Sequence, residues 1–431
     1  VGGSKDKPDQ VIFSQLSDNP NTLGLSGLVM LILAIIPGLP ALPFLLFATL
    51  AAIGAYFRYH MLTREASESE DEGDKDGMHM AHQSEEAGQE TIAETLEIDK
   101  LRLEMGYSLL SLINEGDFQL TDQIRALRRQ VASDFGFVMP AIRIQDNLNL
   151  SSNEYCVVIK EIEAGKGTLR PNMYLAMGSK ESLDTIPGEH TKEPTYGLPA
   201  KWISETTRED AIFAGLTVVD CATVISTHLT ELIKEHMAEL LSYAETRKLL
   251  QELPEDYEPM VKQLLPDRDS TALVQRVLQN LLSEQVSIRD VPTIVEAIGE
   301  AVGFIKNVQM LTEHVRSRLA RSITESCSDS DGILRLISVS GEWERAFVES
   351  LAGEGEDQYL AMAPSTMQDF LNQVRTVHDN LPEENANAVI LCGAAIRPFV
   401  RSVLARFMPH LQVLSENEIY PKAKIRTIAS I

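Results

Sequence analysis

The sequence is short of positive charge: 38 Lys and Arg stand against 63 Asp and Glu, a formal net charge of -25 over 431 residues. Nucleic-acid binding needs clustered cations that displace phosphate counterions, so this balance excludes that partner and favours solubility and basic partners. Cysteine is scarce. Cys156, Cys221, Cys327 and Cys392 are widely separated and form no CxxC pair. That excludes a disulfide framework or a zinc site and fits a reducing cytoplasm. Also missing are GxxxxGK followed by Ser or Thr, GxGxxG, HExxH and GxSxG. The phosphate-cradling, zinc-hydrolase and nucleophile-elbow chemistries therefore have no foothold, and neither cofactor nor metal is expected.

Charge is absent from one long stretch. Between Asp18 and Arg58 no residue is charged, and Leu23 to Phe57 is almost wholly apolar, which is a membrane signal. Pro37, Gly38, Pro40 and Pro43 break it, because proline removes backbone donors. At about 1.5 Å per residue the two halves reach about 21 and 26 Å against a bilayer core of about 30 Å, so a tight hairpin over 1–62 is expected. Lys5, Lys7, Arg58 and Arg64 place its ends on a cytoplasmic side. The chain starts at Val1 and its first residues lack a secretory signal, so it reads as a piece of something longer.

From Glu65 to Asp99 there are 13 acidic residues and one lysine, and 63–100 reads as a self-repelling linker. His79 and His82 within it read as solvated rather than as a metal pair.

Helical spacing of Ile124, Leu127, Val131 and Phe135, followed by the alternating run AIRIQDNLNL and the strand EYCVVIKEIEAG ending in a glycine turn, predicts an α+β module. It covers 101–171 and 221–240, the latter a long amphipathic helix. The Pro- and Gly-rich block 172–220 reads as a small α/β module inserted into it. A helical bundle over 241–320 and an alternating α/β module over 321–431 complete a multidomain α+β chain.

Two spots invite chemistry. AVILCGAAIRPFV runs a strand into a helix N-terminus that could hold an anion beside Arg397, giving an enzyme alternative near Cys392 and Arg397. An ordinary βα turn with Cys392 in the core is the plainer reading. Cys221 and His228 share a helix face but show no orienting third group, so a core pair is preferred. In the inserted module Pro194, Tyr196, Leu198, Pro199 and Trp202 offer aromatic anchors on loops, or else a small core.

Several stretches carry a likeness: LGLSGLVMLILAIIPGLPALPF, LEMGYSLLSLI, DQIRALRRQVASDFGFVMPAIRIQDNLNL, IPGEHTKEPTYGLPAKWI, LTVVDCATVISTHLTELIKEHMAELLSYAET, VQRVLQNLLSEQVSIRD and AAIRPFVRSVLARFMPHLQVLSENEI. With them the sequence resembles the export-gate proteins of type III secretion over nearly its whole length. LLSYAET and DQIRALRRQ point to the flagellar, FlhA-type branch, with a virulence-injectisome gate as the alternative.

The resemblance implies a non-enzymatic platform in the bacterial inner membrane. Its four-part cytoplasmic region would form a homo-nonameric ring receiving chaperones with bound export substrates, alongside other export-gate membrane proteins and the export ATPase complex. It further implies that Glu193, Tyr196, Val219 and Thr227 form a chaperone-binding dimple, with Glu and Tyr standing where Asp and Phe are expected in better-known relatives. Gly106 takes a structural role, permitting close backbone packing. Ile92 and Leu96 are the apolar candidates for a linker contact with a neighbouring subunit.

Overall fold

The structure, a computed structural model, describes residues 98–431 apart from 115–119, 258, 262–267, 354, 356–357, 383–384 and 386. The expected membrane hairpin and most of the acidic linker, including His79, His82, Ile92 and Leu96, lie outside the described residues. Among those described, no helix is long and apolar enough to cross a membrane.

The first sheet runs β2-β1-β3-β4, from β1 (Leu101–Met105), β2 (Arg143–Asp146), β3 (Glu154–Ile159) and β4 (Ile162–Thr168). β3 is the most apolar and β-branched of these, and it takes a central place, buried from Tyr155 to Ile159. The expected single strand through EYCVVIKEIEAG is in fact a hairpin. Lys160 and Glu161 adopt left-handed φ of 48° and 66°, and Arg102 grips Glu161 with two 2.9 Å bonds. Gly165 and Gly167 therefore sit within β4 rather than in a turn. Helix α1 (Leu120–Phe135) buries Ile124, Leu127 and Val131 in the main core, spaced as a helical face requires.

A second sheet, β6-β7-β5-β8, comprises β5 (Tyr174–Met177), β6 (Glu189–Lys192), β7 (Pro199–Ile203) and β8 (Thr217–Val219). Every pairing in it is antiparallel, so this piece is not the α/β module expected. One face, with Leu175, Ala200 and Trp202, joins the main core. The other face packs Ala176 and Ile203 against Leu183, Ile186, Ala211 and Leu216, from α2 (Lys180–Asp184), α3 (Arg208–Phe213) and the turns after them. Lys201 is buried there because its ammonium caps the end of α2, donating to Leu183 O at 2.7 Å and Ile186 O at 3.0 Å.

Helix α4 (Cys221–Leu240) follows, its N-cap Asp220 accepting from Thr223 N at 2.7 Å. Then come α5 (Tyr243–Gln251, with a Ser242–Glu245 capping box), α6 (Arg268–Ser283), α7 (Val291–Ala301), α8 (Val308–Arg318) and α9 (Ala320–Cys327). The terminal sheet orders β13-β12-β9-β14, all parallel, from β9 (Ile333–Ser338), β12 (Val389–Cys392), β13 (Val413–Ser415) and β14 (Lys424–Ser430). The two-residue strands β10 (Leu351–Ala352) and β11 (Tyr359–Leu360) pair separately. Crossover helices α10 (Gly341–Glu349), α11 (Pro364–Asp379) and α12 (Arg397–Phe407) cover the sheet, and Phe370 meets Phe347 and Trp343 edge to face.

The helical region and the terminal sheet meet through a buried ion network. Arg316 is 2% exposed and bonds Glu418 through Nε at 3.0 Å and Nη2 at 2.8 Å. Its Nη1 approaches Glu284 at 3.2 Å outside hydrogen-bonding alignment. Arg397, 1% exposed, grips Glu284 with bonds of 2.6 and 3.0 Å, reaches Glu313 through Nε at 2.5 Å and through Nη2, and donates to Val413 O at 3.3 Å. Burial opposes ionisation of Glu284, yet the two guanidiniums hold its carboxyl down to about 2. At Glu313 burial prevails and the carboxyl is raised.

Removing one guanidinium leaves buried carboxylates unpaired, so Arg397→Ala should cost about 3–5 kcal/mol in urea unfolding. The depressed Glu284 contributes stability that is present above its ordinary value of 4.5 and is lost as pH falls toward about 2. Glu313, raised, acts in the opposite sense. Glu284→Gln should therefore flatten the acid limb of a stability-versus-pH curve, and an unchanged limb would remove Glu284 from that role.

Candidate functional site

The turn between β6 and β7 is built around Glu193. That residue is 4% exposed, and its carboxylate accepts from Thr195 N at 2.8 Å and Tyr196 N at 2.6 Å. The backbone closes with Gly197 N to Glu193 O at 3.0 Å and Glu193 N to Leu198 O at 2.9 Å, and Gly197 takes the left-handed φ of +67° that the turn requires. Held this way, the turn projects Tyr196 and Leu198, which stay 57% and 50% exposed. Trp202, by contrast, is buried in the main core.

The 3.6-residue period of α4 turns Ile225, Leu229 and Ile233 inward and leaves Thr227 exposed, with Glu231 one turn further on the same side. Burial, then Glu231 and Glu193, raise the Tyr196 phenol above its ordinary ionisation range. Thr227 and Glu231 thus share the outward side of α4, with Glu231 near enough to Tyr196 to raise its phenol. Val219 ends β8, half-buried against the main core. Glu231 was not singled out from sequence, although its place four residues after Thr227 on an amphipathic helix was the signal available.

Beneath this face lies a polar layer. Tyr155 OH pairs with His228 Nδ1 at 2.8 Å, and burial lowers the imidazole while Glu193 pulls it the other way. The two strand glycines make room for the pair: a Cβ on Gly165 would lie 2.9 Å from His228 Nε2, and one on Gly167 2.7 Å from Tyr155 OH. His228 is therefore engaged away from Cys221, whose thiol donates to Arg170 O at 3.2 Å and is pushed by burial to about 11. The arrangement gives no nucleophile and base.

Cys392 is buried and its thiol driven up to about 12, chiefly by burial. The anion reading of the following turn fails because Arg397 is enclosed by Glu284 and Glu313. Among the described residues no group of three or more His, Cys, Asp or Glu could hold a metal. A groove of about 700 Å³ between Arg375, His378, Phe407 and His410 lies in the terminal region and holds none of the expected site residues.

Gly106 follows β1, and its amide donates to Glu154 O at 2.8 Å. A Cβ there would lie 2.1 Å from Ser151 O and 2.7 Å from Ser152 O, so backbone would have to move. Gly106→Ala should therefore cost about 1–3 kcal/mol by chemical denaturation. At pH 8 a maleimide should leave Cys392 and Cys221 unlabelled until the chain unfolds, and rapid native labelling would contradict their buried, protonated state.

The flagellar biosynthesis protein FlhA of Caulobacter vibrioides is 47% identical over 347 residues, 80% of this chain and 50% of its own length. The chain spans about half the length of the curated relatives it matches. Among solved structures, the CdsV protein of Chlamydia pneumoniae aligns with a TM-score of 0.68 and 24% identity over 78% of this chain and 98% of that one. The nonameric EPEC SctV-C aligns with a TM-score of 0.62 and 22% identity over 78% of this chain and 98% of that one. These structural likenesses speak to the fold. The FHIPEP family model matches residues 2–424, and the chain belongs to the FHIPEP family.

Proposed function

We propose that this chain is part of a flagellar export gate: a membrane-anchored platform, without catalysis of its own, on which chaperones deliver export substrates. The observation that carries the reading is Tyr196, an aromatic side chain held out at 57% exposure by a buried carboxylate beside an open helix face. An exposed aromatic on a fixed turn suits partner binding, since little order must be created on docking.

The flagellar branch is favoured over a virulence injectisome by the 47% identity to a flagellar relative, against 24% or less for the two solved structures. The nonameric state of the EPEC protein, carried over, makes this chain's own assembly a homo-oligomeric ring. In the same reading 1–62 is the inner-membrane hairpin, 63–100 the linker, 101–171 with 221–240 the first cytoplasmic subdomain, 172–220 an insertion, 241–320 the helical subdomain and 321–431 the last. Other gate proteins and the export ATPase complex are the further partners.

Tyr196→Ala should weaken binding of a purified flagellar chaperone–cargo complex about thirtyfold, from loss of about 2 kcal/mol at an anchor. The melting temperature should hold, because the ring is not core. Unchanged affinity, or a loss of stability of about 3–5 kcal/mol as for a core aromatic, would refute the assignment.

A further inference from the structure

The outer strand of the terminal sheet carries positive charge that has no counterpart around it. β14 pairs on one side only, with β9, in the order β13-β12-β9-β14. From Ile419 to Ile431 there is no Asp or Glu, while Lys422, Lys424 and Arg426 recur at alternate positions in a chain of net charge -25. All three are exposed, and among the described residues none of their side chains makes a hydrogen bond or ion pair. The neighbouring strand does not neutralise them. Arg426 stands in register with Arg335, and that arginine already engages Asp329, donating from Nε at 3.0 Å with Nη2 at 2.9 Å.

On its inner side β14 is fixed. Its register with β9 runs unbroken from Lys424 opposite Ile333 to Thr427 opposite Leu336, and beyond the bulge Ile431 N donates to Ser338 O at 2.9 Å. Strand alternation sets Lys424 and Arg426 on one face, Ile425 and Thr427 on the other. Ile425 is 54% exposed, although Leu334 opposite it is fully buried in the main core. Residues 424–427 therefore form a rigid edge with backbone groups unpaired on its outer side, two cations on one face and an open apolar side chain on the other.

Lysine on an edge strand guards against pairing. Here the guard is selective. A second copy of β14 would set cation against cation, whereas a strand with Asp or Glu opposite Lys424 and Arg426 turns the same charges into cross-strand pairs. We propose that 424–427 is an edge for strand addition, taking an extended acidic segment of a partner protein in which Asp or Glu alternates with apolar residues, one of them lying over Ile425. Main-chain bonds give such a contact its affinity, and the alternate side chains its choice of partner. This surface is separate from the Tyr196 turn, so either can fail without the other.

The probe is a short blocked peptide alternating glutamate and valine, titrated at low salt into the detergent-solubilised 431-residue chain. The double variant Lys424→Gln, Arg426→Gln should bind it about tenfold more weakly. Its melting temperature should hold, because both side chains are exposed. Lys248→Gln, which removes an exposed lysine on α5, should bind like the parent. A peptide with one central valine replaced by proline keeps every charge but loses a ladder donor, and should not bind. Hydrogen exchange should show protection added by the first peptide at the backbone of 424–427.

The proposal is overturned if the unmodified peptide does not bind, if the double variant binds it like the parent, or if Lys248→Gln weakens binding as much, which would show bulk charge alone. Equal binding of the proline peptide would overturn it too, since a flexible polyanion needs no strand edge. So would protection that falls elsewhere, with none at 424–427.

Discussion

Two guanidiniums buried among three carboxylates hold the C-terminal half of the described chain together. Arg316 and Glu313 come from α8 and Glu284 from the end of α6, while Arg397 opens α12 and Glu418 lies in the turn after β13. The planar fork of each arginine admits only a narrow range of carboxylate directions, so the network fixes orientation as well as distance. Thr324 adds a neutral clamp at the same seam, donating to Glu418 O at 3.0 Å and accepting from Tyr420 N at 2.8 Å. Such a cluster need not raise stability above that of an apolar replacement, but it makes misaligned docking costly.

The proposed docking face depends on the same principle of fixed polar contacts, at smaller scale. α4 lies in the main core through Ile225, Leu229 and Ile233, so whatever it presents outward is held by a rigid element. The turn bearing Tyr196 has no core of its own and is set by the Glu193 carboxylate and by Gly197. Below both, Tyr155 and His228 join the first sheet to α4 by a single hydrogen bond in a space that only strand glycines leave open. A partner docking as proposed would meet a surface whose geometry exists before it arrives, which lowers the entropic cost of association.

Much of this was legible from periodicity. α4 was expected from Asp220 onward and begins at Cys221 with Asp220 as its cap; the alternation of strands and helices after Ser322 is the parallel sheet with its crossovers. The failures have local causes. The β3–β4 hairpin turns on Lys160 and Glu161, which lack the Asn-Gly or Asp-Gly signature, so the strands read as one. Pro and Gly punctuation in 172–220 marked a loop-rich module but could not tell an antiparallel sheet from a parallel one. Trp202 and Tyr196 looked alike in sequence, and only the pleat, which points Trp202 into the core and leaves Tyr196 on the turn, separates them. The anion alternative beside Arg397 stayed open because that arginine's partners lie 84 and 113 residues away in sequence, beyond any local pattern.

The central claim is that partners dock on the face formed by the 193–198 turn and the first half of α4. Hydrogen exchange of the whole chain with and without a bound chaperone–cargo complex tests it most directly, because each amide reports its own protection. The account predicts added protection at the backbone of 193–198 and around Thr227 to Glu231, with the helices that carry the ion network unchanged. Protection confined to the groove near Arg375 and His378, with none on the turn, would contradict it.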